Sequence, residues 1–482
     1  MLTRLRVKGF KNLHEVDLYL GPFTCVAGPN GVGKSNLFDA ILLLGALAAK
    51  PVLDALLSVR GTNGRMSEIG RLFSSGTADT IASMEFVADM IVPRSVRDDF
   101  DREGTPTATF LEYTVQLCFD PSRPGGDKDP VYIGHEALKA KSSSDALRWL
   151  PFHPDPAWVK RHVIGPGRRT SPFISTEQGT DGSGLGIKLF GERTKKGGRP
   201  STVPAGKSPQ TVLCGVNAVT HPTALAVRNE MRSWRMLQLE PSALRRPDEL
   251  HGHTRVSAIG EHLPTALLRI GAHTSIAHRL GELIPGVLAV EVETDNARQT
   301  RTLLVTLKDR KAYSASSLSD GTLRFLALAI LAADPDVTGL ICMEEPENGI
   351  HPERIPAVLD LVRALAEEQD GLDGAKEVSQ GLKQVLINTH SPLVVGLLSD
   401  DSLLVAEMLR LRGRDFVNFK PLPETWRAEV GKLSGGGLVG RGELMRALGR
   451  NQSPLSSKAT GRKKLVAHHL VDADTPDLFS TP

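Results

Sequence analysis

The sequence has little of what marks the specialised protein classes. Its 482 residues include four cysteines, Cys25, Cys118, Cys214 and Cys342, spaced too widely for a CxxC metal motif or a disulfide framework, so a reducing compartment is expected. Aromatics make up 5% of the chain, and 58 Lys and Arg stand against 55 Asp and Glu. A net charge of +3 neither requires nor excludes a nucleic-acid partner. The longest apolar runs, near 40–49 and 325–333, are too short to span a membrane, and the opening MLTRLRVKGFKNL lacks the apolar stretch of a signal peptide. A cytoplasmic protein without a membrane anchor is expected. Composition excludes disordered, collagen-like and coiled-coil classes, and no repeat of 20–50 residues is evident.

What is present is an alternation of β-like and helical pieces. Leu5, Val7, Val16, Leu18 and Leu20 alternate with polar neighbours, and 23–27 is a short buried run that ends in glycine. A helix is expected over 34–49. Short β-like pieces at 81–87, 113–119 and 131–133, divided by Pro, Gly and Asp turns, predict an antiparallel unit beside the core. Residues 165–210, rich in Gly, Ser, Pro and Thr, read as a long mobile surface insertion. Helical stretches are expected over 221–239 and 262–283. A β/α pattern then returns, with strands at 287–292, 303–307, 339–343 and 384–388 and helices over 323–333 and 354–368. The expected organisation is an α/β core in two halves, 1–66 and 287–400, separated by a β-rich unit at 67–150 and an insertion at 151–286. A cap at 401–450 and a disordered tail at 451–482 complete it.

Gly28, Pro29, Asn30, Gly31, Val32, Gly33, Lys34 and Ser35 match GxxxxGK[ST] in full, with a buried strand before and an apolar helix after. Such a loop turns its N–H groups and the helix N-terminus towards a phosphate. Lys34 adds a point charge, and Ser35 a hydroxyl ligand for Mg²⁺. The run 339–345 is an apolar strand that ends in Glu344 and Glu345. Alone it reads as a solvated acidic turn. After a phosphate loop it places one carboxylate in the Mg²⁺ shell and Glu345 beside an attacking water. Twenty-five residues before Glu344, Ser319 and Gly321 open a helix, either as an ordinary N-cap or as donors to a γ-phosphate.

These motifs, with Thr389-His390-Ser-Pro after a further strand, resemble the ABC-type ATPase head, specifically its RecF/SMC/OLD-like branch rather than true transporters. The N-terminal RVKGFKNLHEVDLYL, Asn36 after the loop, the segment 344–352 and NTHSP at 388–392 favour that branch. The resemblance implies an α/β P-loop NTPase core, of ABC-ATPase type, split by a β-rich and helical insertion. It implies a head that binds ATP and Mg²⁺ through residues 28–36, hydrolyses ATP and dimerises face to face. It further implies that Glu344 holds the metal through a water, that His390 contacts the γ-phosphate, and that Ser319 and Gly321 reach the nucleotide bound by the other protomer. Asn348 to His351 would cross the dimer seam. Asp320, Thr322 and Glu344 depart from the family's usual Gly, Gln and Asp, which puts direct metal ligation in doubt and adds a negative charge at the seam. Gln116 is a candidate for the family's glutamine loop.

Two segments imitate motifs. Leu433 to Gly437 looks like a signature loop but has no carboxylate strand after it, and Asp472 with Asp474 looks like the DxD of a Toprim domain, with no room for that domain to follow. A flexible turn and an acidic tail are expected. Nothing between Lys34 and Ser319 sustains heptads, which argues against a coiled-coil arm. A stand-alone ATPase is therefore expected, acting through a separately encoded nuclease or toxin in DNA repair, DNA surveillance or anti-phage defence. The alternative is a scaffold that holds such a partner and turns over slowly or not at all. Residues 151–255 carry 16 Lys and Arg against 8 Asp and Glu, among them Arg161, Arg168, Arg169, Lys195, Lys196 and Arg199. They read either as a DNA-backbone contact or as solvated loop charge. Trp234 with Arg232, Arg235, Arg245 and Arg246 reads as a packed helix with one basic face.

Overall fold

The computed structural model describes residues 1–74, 81–123, 129–142, 144–146, 150, 152, 156–167, 169, 171–178, 184–192, 200–366, 382–411, 413–432 and 437–450. The 451–482 tail with Asp472 and Asp474, residues 433–436 of the glycine-rich turn, and Arg168, Lys195, Lys196 and Arg199 lie outside the described residues.

Two large sheets enclose the helix that follows the glycine loop. One has six strands, in the order Arg235–Met236, Gly339–Glu344, Lys383–Thr389, Phe23–Ala27, Leu403–Leu411 and Arg414–Pro421. Its first five strands are parallel, and the last folds back as an antiparallel hairpin. Strands buried on both faces read as unbroken apolar runs, as Leu340, Ile341, Cys342 and Met343 do. The other sheet is antiparallel and has eight strands: Ser201–Pro204, Leu185–Leu189, Ile174–Gln178, Val131–Ala140, Phe110–Phe119, Ala82–Ile91, Leu2–Phe10 and Leu13–Tyr19.

The helix Lys34–Leu47 lies between them. Leu37, Phe38, Ala40, Ile41, Leu43 and Leu44 are all buried, and a helix in an inner layer has no use for a polar stripe. Its side chains share one cluster with Leu5 and Val7 of the antiparallel sheet and with Val26, Leu340 and Leu386 of the parallel one. Each large side chain buried there is worth ~1.5–3 kcal/mol. Successive strand residues alternate between faces. Thus Cys25, Ala27, Ile341 and Ile387 point the other way, into a second cluster with Phe325, Leu326 and Ile330 of the helix Asp320–Ala333 and Val358 and Val362 of Ile355–Ala364. A third, smaller sheet pairs Val287–Asp295 with Thr300–Leu307, whose other side carries Asp248–Glu249 and Ala312–Ser314.

The structure departs from the sequence-based expectation in three places. The antiparallel sheet takes strands from 2–19, 82–140 and 174–204, so it crosses the boundaries expected at 66 and 150. Within 165–210, Ile174–Gln178, Leu185–Leu189 and Ser201–Pro204 are therefore sheet rather than mobile insertion. Ile174 and Ile187 are fully buried, and backbone pairing supplies what the low apolar content concealed. Second, the helix expected over 221–239 ends at Arg232, and Arg235–Met236 joins the parallel sheet beside Ile341 and Cys342. Trp234 is buried, Arg245 pairs with Asp320 and Arg246 with Glu261, so these residues do not form one basic helix face. Third, 262–283 is two helices, Leu263–Ile270 and His273–Leu283, broken where Gly271 adopts φ 69°. No described helix is long and apolar enough to cross a membrane. The four cysteines form no disulfide.

Candidate nucleotide-binding site

Three neighbouring parallel strands end at the same edge, and each delivers one part of the site. Asn388 and Thr389 lie beside Val26 and Ala27 on one side, and Asn388 lies beside Glu344 on the other. The carboxyl ends of parallel strands are where α/β sheets place ligands. The Gly28 N–H donates to Thr389 O at 3.2 Å.

From Gly28 the loop runs outward, with Asn30 and Gly31 exposed and Val32 buried, and returns at Gly33, the left-handed N-cap of the Lys34–Leu47 helix at φ 107°. That φ strains any residue but glycine, and a Cβ at Gly33 would lie 2.2 Å from Asn12 Nδ2 and push the Asn12 side chain away. Asn12 itself clips the loop. Its amide donates to Val32 O at 3.1 Å, and its oxygen accepts from Asn36 Nδ2 at 2.8 Å. Lys34 folds back to donate to Gly28 O and Pro29 O at 2.6 and 2.8 Å. Burial lowers the pKa of Lys34, and the nearby carboxylates, Glu345 foremost, offset part of that shift.

Glu344 is held by Arg60. The guanidinium donates to both Glu344 oxygens at 3.0 and 2.9 Å, to Asp39 Oδ1 at 2.6 Å and to Ser35 O at 3.0 Å. Lys11 holds the other oxygen of Asp39 at 2.7 Å. Glu345 has φ 44°, an unusual conformation for a residue with a side chain. Its N–H is fixed by Asn388, through the backbone oxygen at 3.2 Å and the side-chain oxygen at 3.1 Å. The result directs the Glu345 carboxylate to His390, whose Nδ1 donates to Oε1 at 2.6 Å. Behind them, Glu347 is buried and its pKa is raised by that burial. One of its oxygens accepts from the Thr389 hydroxyl, and the other has no hydrogen-bond partner.

The structure therefore brings together residues 28–36, Glu344, Glu345 and His390. It does not bring Ser319 or Gly321 to them within this chain. Ser319 caps the helix Asp320–Ala333, accepting from Thr322 N, and is exposed. Asp320 beside it is paired with Arg245 at 2.5 Å, and Arg245 also donates to Leu318 O at 3.0 Å. Gln116 lies in the antiparallel sheet, opposite Glu85 and His135, away from the strand ends that carry the loop. Another glutamine, Gln238, lies closer to the carboxylates. It follows the edge strand Arg235–Met236 and lines one cavity with Asp39 and Arg60 and another, of ≈ 320 Å³, with Glu344 and Glu345. Asn12, Arg60, Gln238 and Asn388 were not singled out from the sequence. Only Asn388 had a signal, its place at the head of NTHSP.

An inward-curling loop, hydroxyl and carboxylate oxygens, and a buried carboxylate oxygen without a partner form a donor set suited to a Mg²⁺-bound polyphosphate.

Residues 220–396 match the family model described as an AAA domain, putative AbiEii toxin, Type IV TA system. Over 46 residues the chain is 54% identical to the OLD nuclease of Thermus scotoductus, a match covering 9% of each chain. Over 45 residues it is 49% identical to the DNA replication and repair protein RecF of Erwinia tasmaniensis, covering 9% of this chain and 12% of that one. The matches thus span about a tenth of the length of these curated relatives. Among solved structures, an SMC head bound to the C-winged helix domain of ScpA aligns at 14% identity over 87% of this chain and 98% of that one, with a TM-score of 0.42. The SMC head domain from Thermotoga maritima covers the same shares at 14% identity, with a TM-score of 0.35. The family match, the OLD and RecF segments and the arrangement at the strand ends agree: the chain carries an ABC-type P-loop ATPase core of the RecF/SMC/OLD-like branch.

Proposed function

We propose that the protein binds and hydrolyses ATP, dimerises on ATP, and through that change controls a separately encoded effector. The observation that carries the proposal is the Glu345–His390 contact of 2.6 Å at the strand end next to the phosphate loop. In this reading residues 28–36 cradle the phosphates, and Lys34 moves from its loop carbonyls to a phosphate oxygen. Ser35 and, through a water, Glu344 hold Mg²⁺. Bound Mg²⁺ supplies charge neutralisation at the phosphates. Glu345 orients and deprotonates the attacking water, and His390 keeps that carboxylate in place and donates to the γ-phosphate. Asn388 fixes the Glu345 backbone, and Gln238 lies where a side-chain amide reaches the metal's water shell. Ser319 and Gly321 act across the dimer, with Asn348 to His351 at the seam.

The setting we assign is DNA repair, DNA surveillance or anti-phage defence with a nuclease or toxin effector. It draws on the matched family's description as a toxin–antitoxin system and on the names of the OLD and RecF relatives. A DNA contact through 151–255 is the weaker part. Arg169 is committed to the carbonyls of Ser171 and Pro172 and stacks on Phe173, whereas Arg161 is exposed.

One observation favours a slow or non-hydrolysing scaffold as the second reading: Glu344, which would hold the metal, is already paired with Arg60. Steady-state phosphate release decides between them. The ATPase reading expects release by the wild type that falls about 10²-fold or more in Glu345→Gln, with ATP binding retained. Equal release by the two, with and without DNA, leaves the scaffold. Mass by light scattering with and without ATP tests the dimer, which Glu345→Gln should accumulate.

A further inference from the structure

A cavity of ≈ 770 Å³ lies away from the nucleotide loop, between the helix His273–Leu283 and the strand Val287–Asp295. That strand is paired on one side only, by Thr300–Leu307, so its other edge is open among the described residues. The carbonyl of Val290 is contacted by His273 Nδ1 at 3.2 Å, which shows that Val290 turns its backbone groups outward, towards the helix. In an antiparallel strand the outward positions recur every second residue, so Val292 and Thr294 face the same way. The helix side is lined by Thr274, Ala277 and Gly281 together with His273, His278 and Glu282, and Lys308 is the one lysine of the lining; a Cβ on Gly281 would come within 3.3 Å of Val287 O, which closes the groove at that end.

An open strand edge beside a helix is the geometry that accepts an extended segment as an added strand. We propose that this groove binds an extended, basic partner peptide in which cationic and apolar residues alternate. Charge selects this occupant. Glu291 and Glu293 stand on the exposed face of the strand, and neither has an ion-pair partner among the described residues. Asp295, at the same end, accepts from the Ala297 and Arg298 N–H groups at 2.9 and 3.0 Å and meets the Arg298 guanidinium at 3.7 Å. Lysines or arginines of an added strand fall beside Glu291 and Glu293. Its alternate apolar residues fall on the other face, towards Ala277 and Val290. A second copy of this strand would set carboxylates against carboxylates, which disfavours self-pairing. Leu288, 54% exposed at a bulge in the pairing, gives the partner apolar surface at the groove's closed end.

The test is fluorescence anisotropy, without nucleotide, using a capped and labelled nine-residue peptide of alternating lysine and valine. The wild type should saturate, with protection of amides 288–294 from hydrogen exchange. Val292→Pro removes an outward N–H and the double variant Glu291→Lys/Glu293→Lys reverses the charge; each should weaken binding about tenfold or more. The exposed double variant keeps the question open to an answer if the proline variant fails to fold. No saturation overturns the proposal. So does equal binding by a peptide of the same composition with its lysines and valines in separate blocks, because charge attraction alone then suffices. A concentration-dependent dimer that Val292→Pro abolishes would assign the edge to a second copy and overturn the stated occupant.

Discussion

Glu136 offers a measurable link between pH and the seating of the loop helix. This carboxyl is fully buried in the strand Val131–Ala140 and accepts from the Val212 and Leu213 N–H groups at 2.7 and 2.9 Å and from the Tyr113 hydroxyl at 3.1 Å. The segment it holds clasps the end of the Lys34–Leu47 helix, where Thr211 donates to Leu47 O at 2.9 Å. Burial raises the Glu136 pKa from 4.5 to about 7, against the opposing pull of those donors. A carboxyl whose folded pKa exceeds its unfolded value stabilises the fold when protonated. Its contribution is full below about pH 4.5 and is lost as pH rises through about 7. The whole span is about 3 kcal/mol, of which about 1 kcal/mol falls between pH 6 and pH 8. Calorimetric unfolding of the wild type against Glu136→Gln at the two pH values isolates this contribution. The variant should lose stability at both, because its NH₂ confronts an N–H, and the gap between the two proteins should narrow by about 1 kcal/mol at pH 8. A gap that is constant, or that widens at pH 8, refutes the reasoning.

Removing Arg60 should affect two ligands in opposite directions. In Arg60→Ala the half-saturating Mg²⁺ concentration should fall roughly three- to tenfold, because Glu344 loses its cation, while ATP binding weakens through the lost positive charge. Unfolding stability should change by ~1 kcal/mol or less, since Arg60 is half-exposed. An unchanged Mg²⁺ requirement would show that Arg60 and the metal do not share Glu344. Arg245→Ala should uncover the Asp320 charge and impair ATP-dependent dimerisation, more severely at low salt, and adding Asp320→Gly should restore it. Failure of that rescue would confine Arg245 to holding Leu318 O.

The strand, loop and helix at 23–47 were legible because every feature of them is contiguous: an apolar run, three glycines with Lys and Ser, then a helix apolar on all sides. The edge strand Arg235–Met236 was not. Two residues carry no periodicity, and the helical pattern of 222–232 runs straight into them. For the same reason nothing in the sequence signalled that Gln238 lines a cavity with Glu344 and Glu345. Arg60 and Asn12 are ordinary residues in their local sequence, and their roles come from what the fold places opposite them: Val32 and Asn36 for Asn12, and Glu344, 284 residues away, for Arg60. The three strands between 174 and 204 were hidden for another reason. Their polar, glycine-rich sequence reads as loop, and register against Val131–Ala140 and its neighbours makes them sheet. At Ser319 both readings survive, since one hydroxyl caps the helix and remains exposed.

The adjacency of Ala27 and Thr389 also has a temporal meaning. At ribosomal rates of about 5–20 residues per second, roughly 20–70 s separate the emergence of the first strand from that of its central neighbour. During that interval Phe23–Ala27 has no parallel neighbour from later in the chain, and its edges are open to other chains. Asn12 and Val32 come from the earliest segment and can meet at once. The glycine loop is thus the first part of the site to be shaped and the last to be completed, and a nascent chain shorter than 389 residues lacks Thr389 and His390 and has no complete nucleotide pocket to be rescued by ATP.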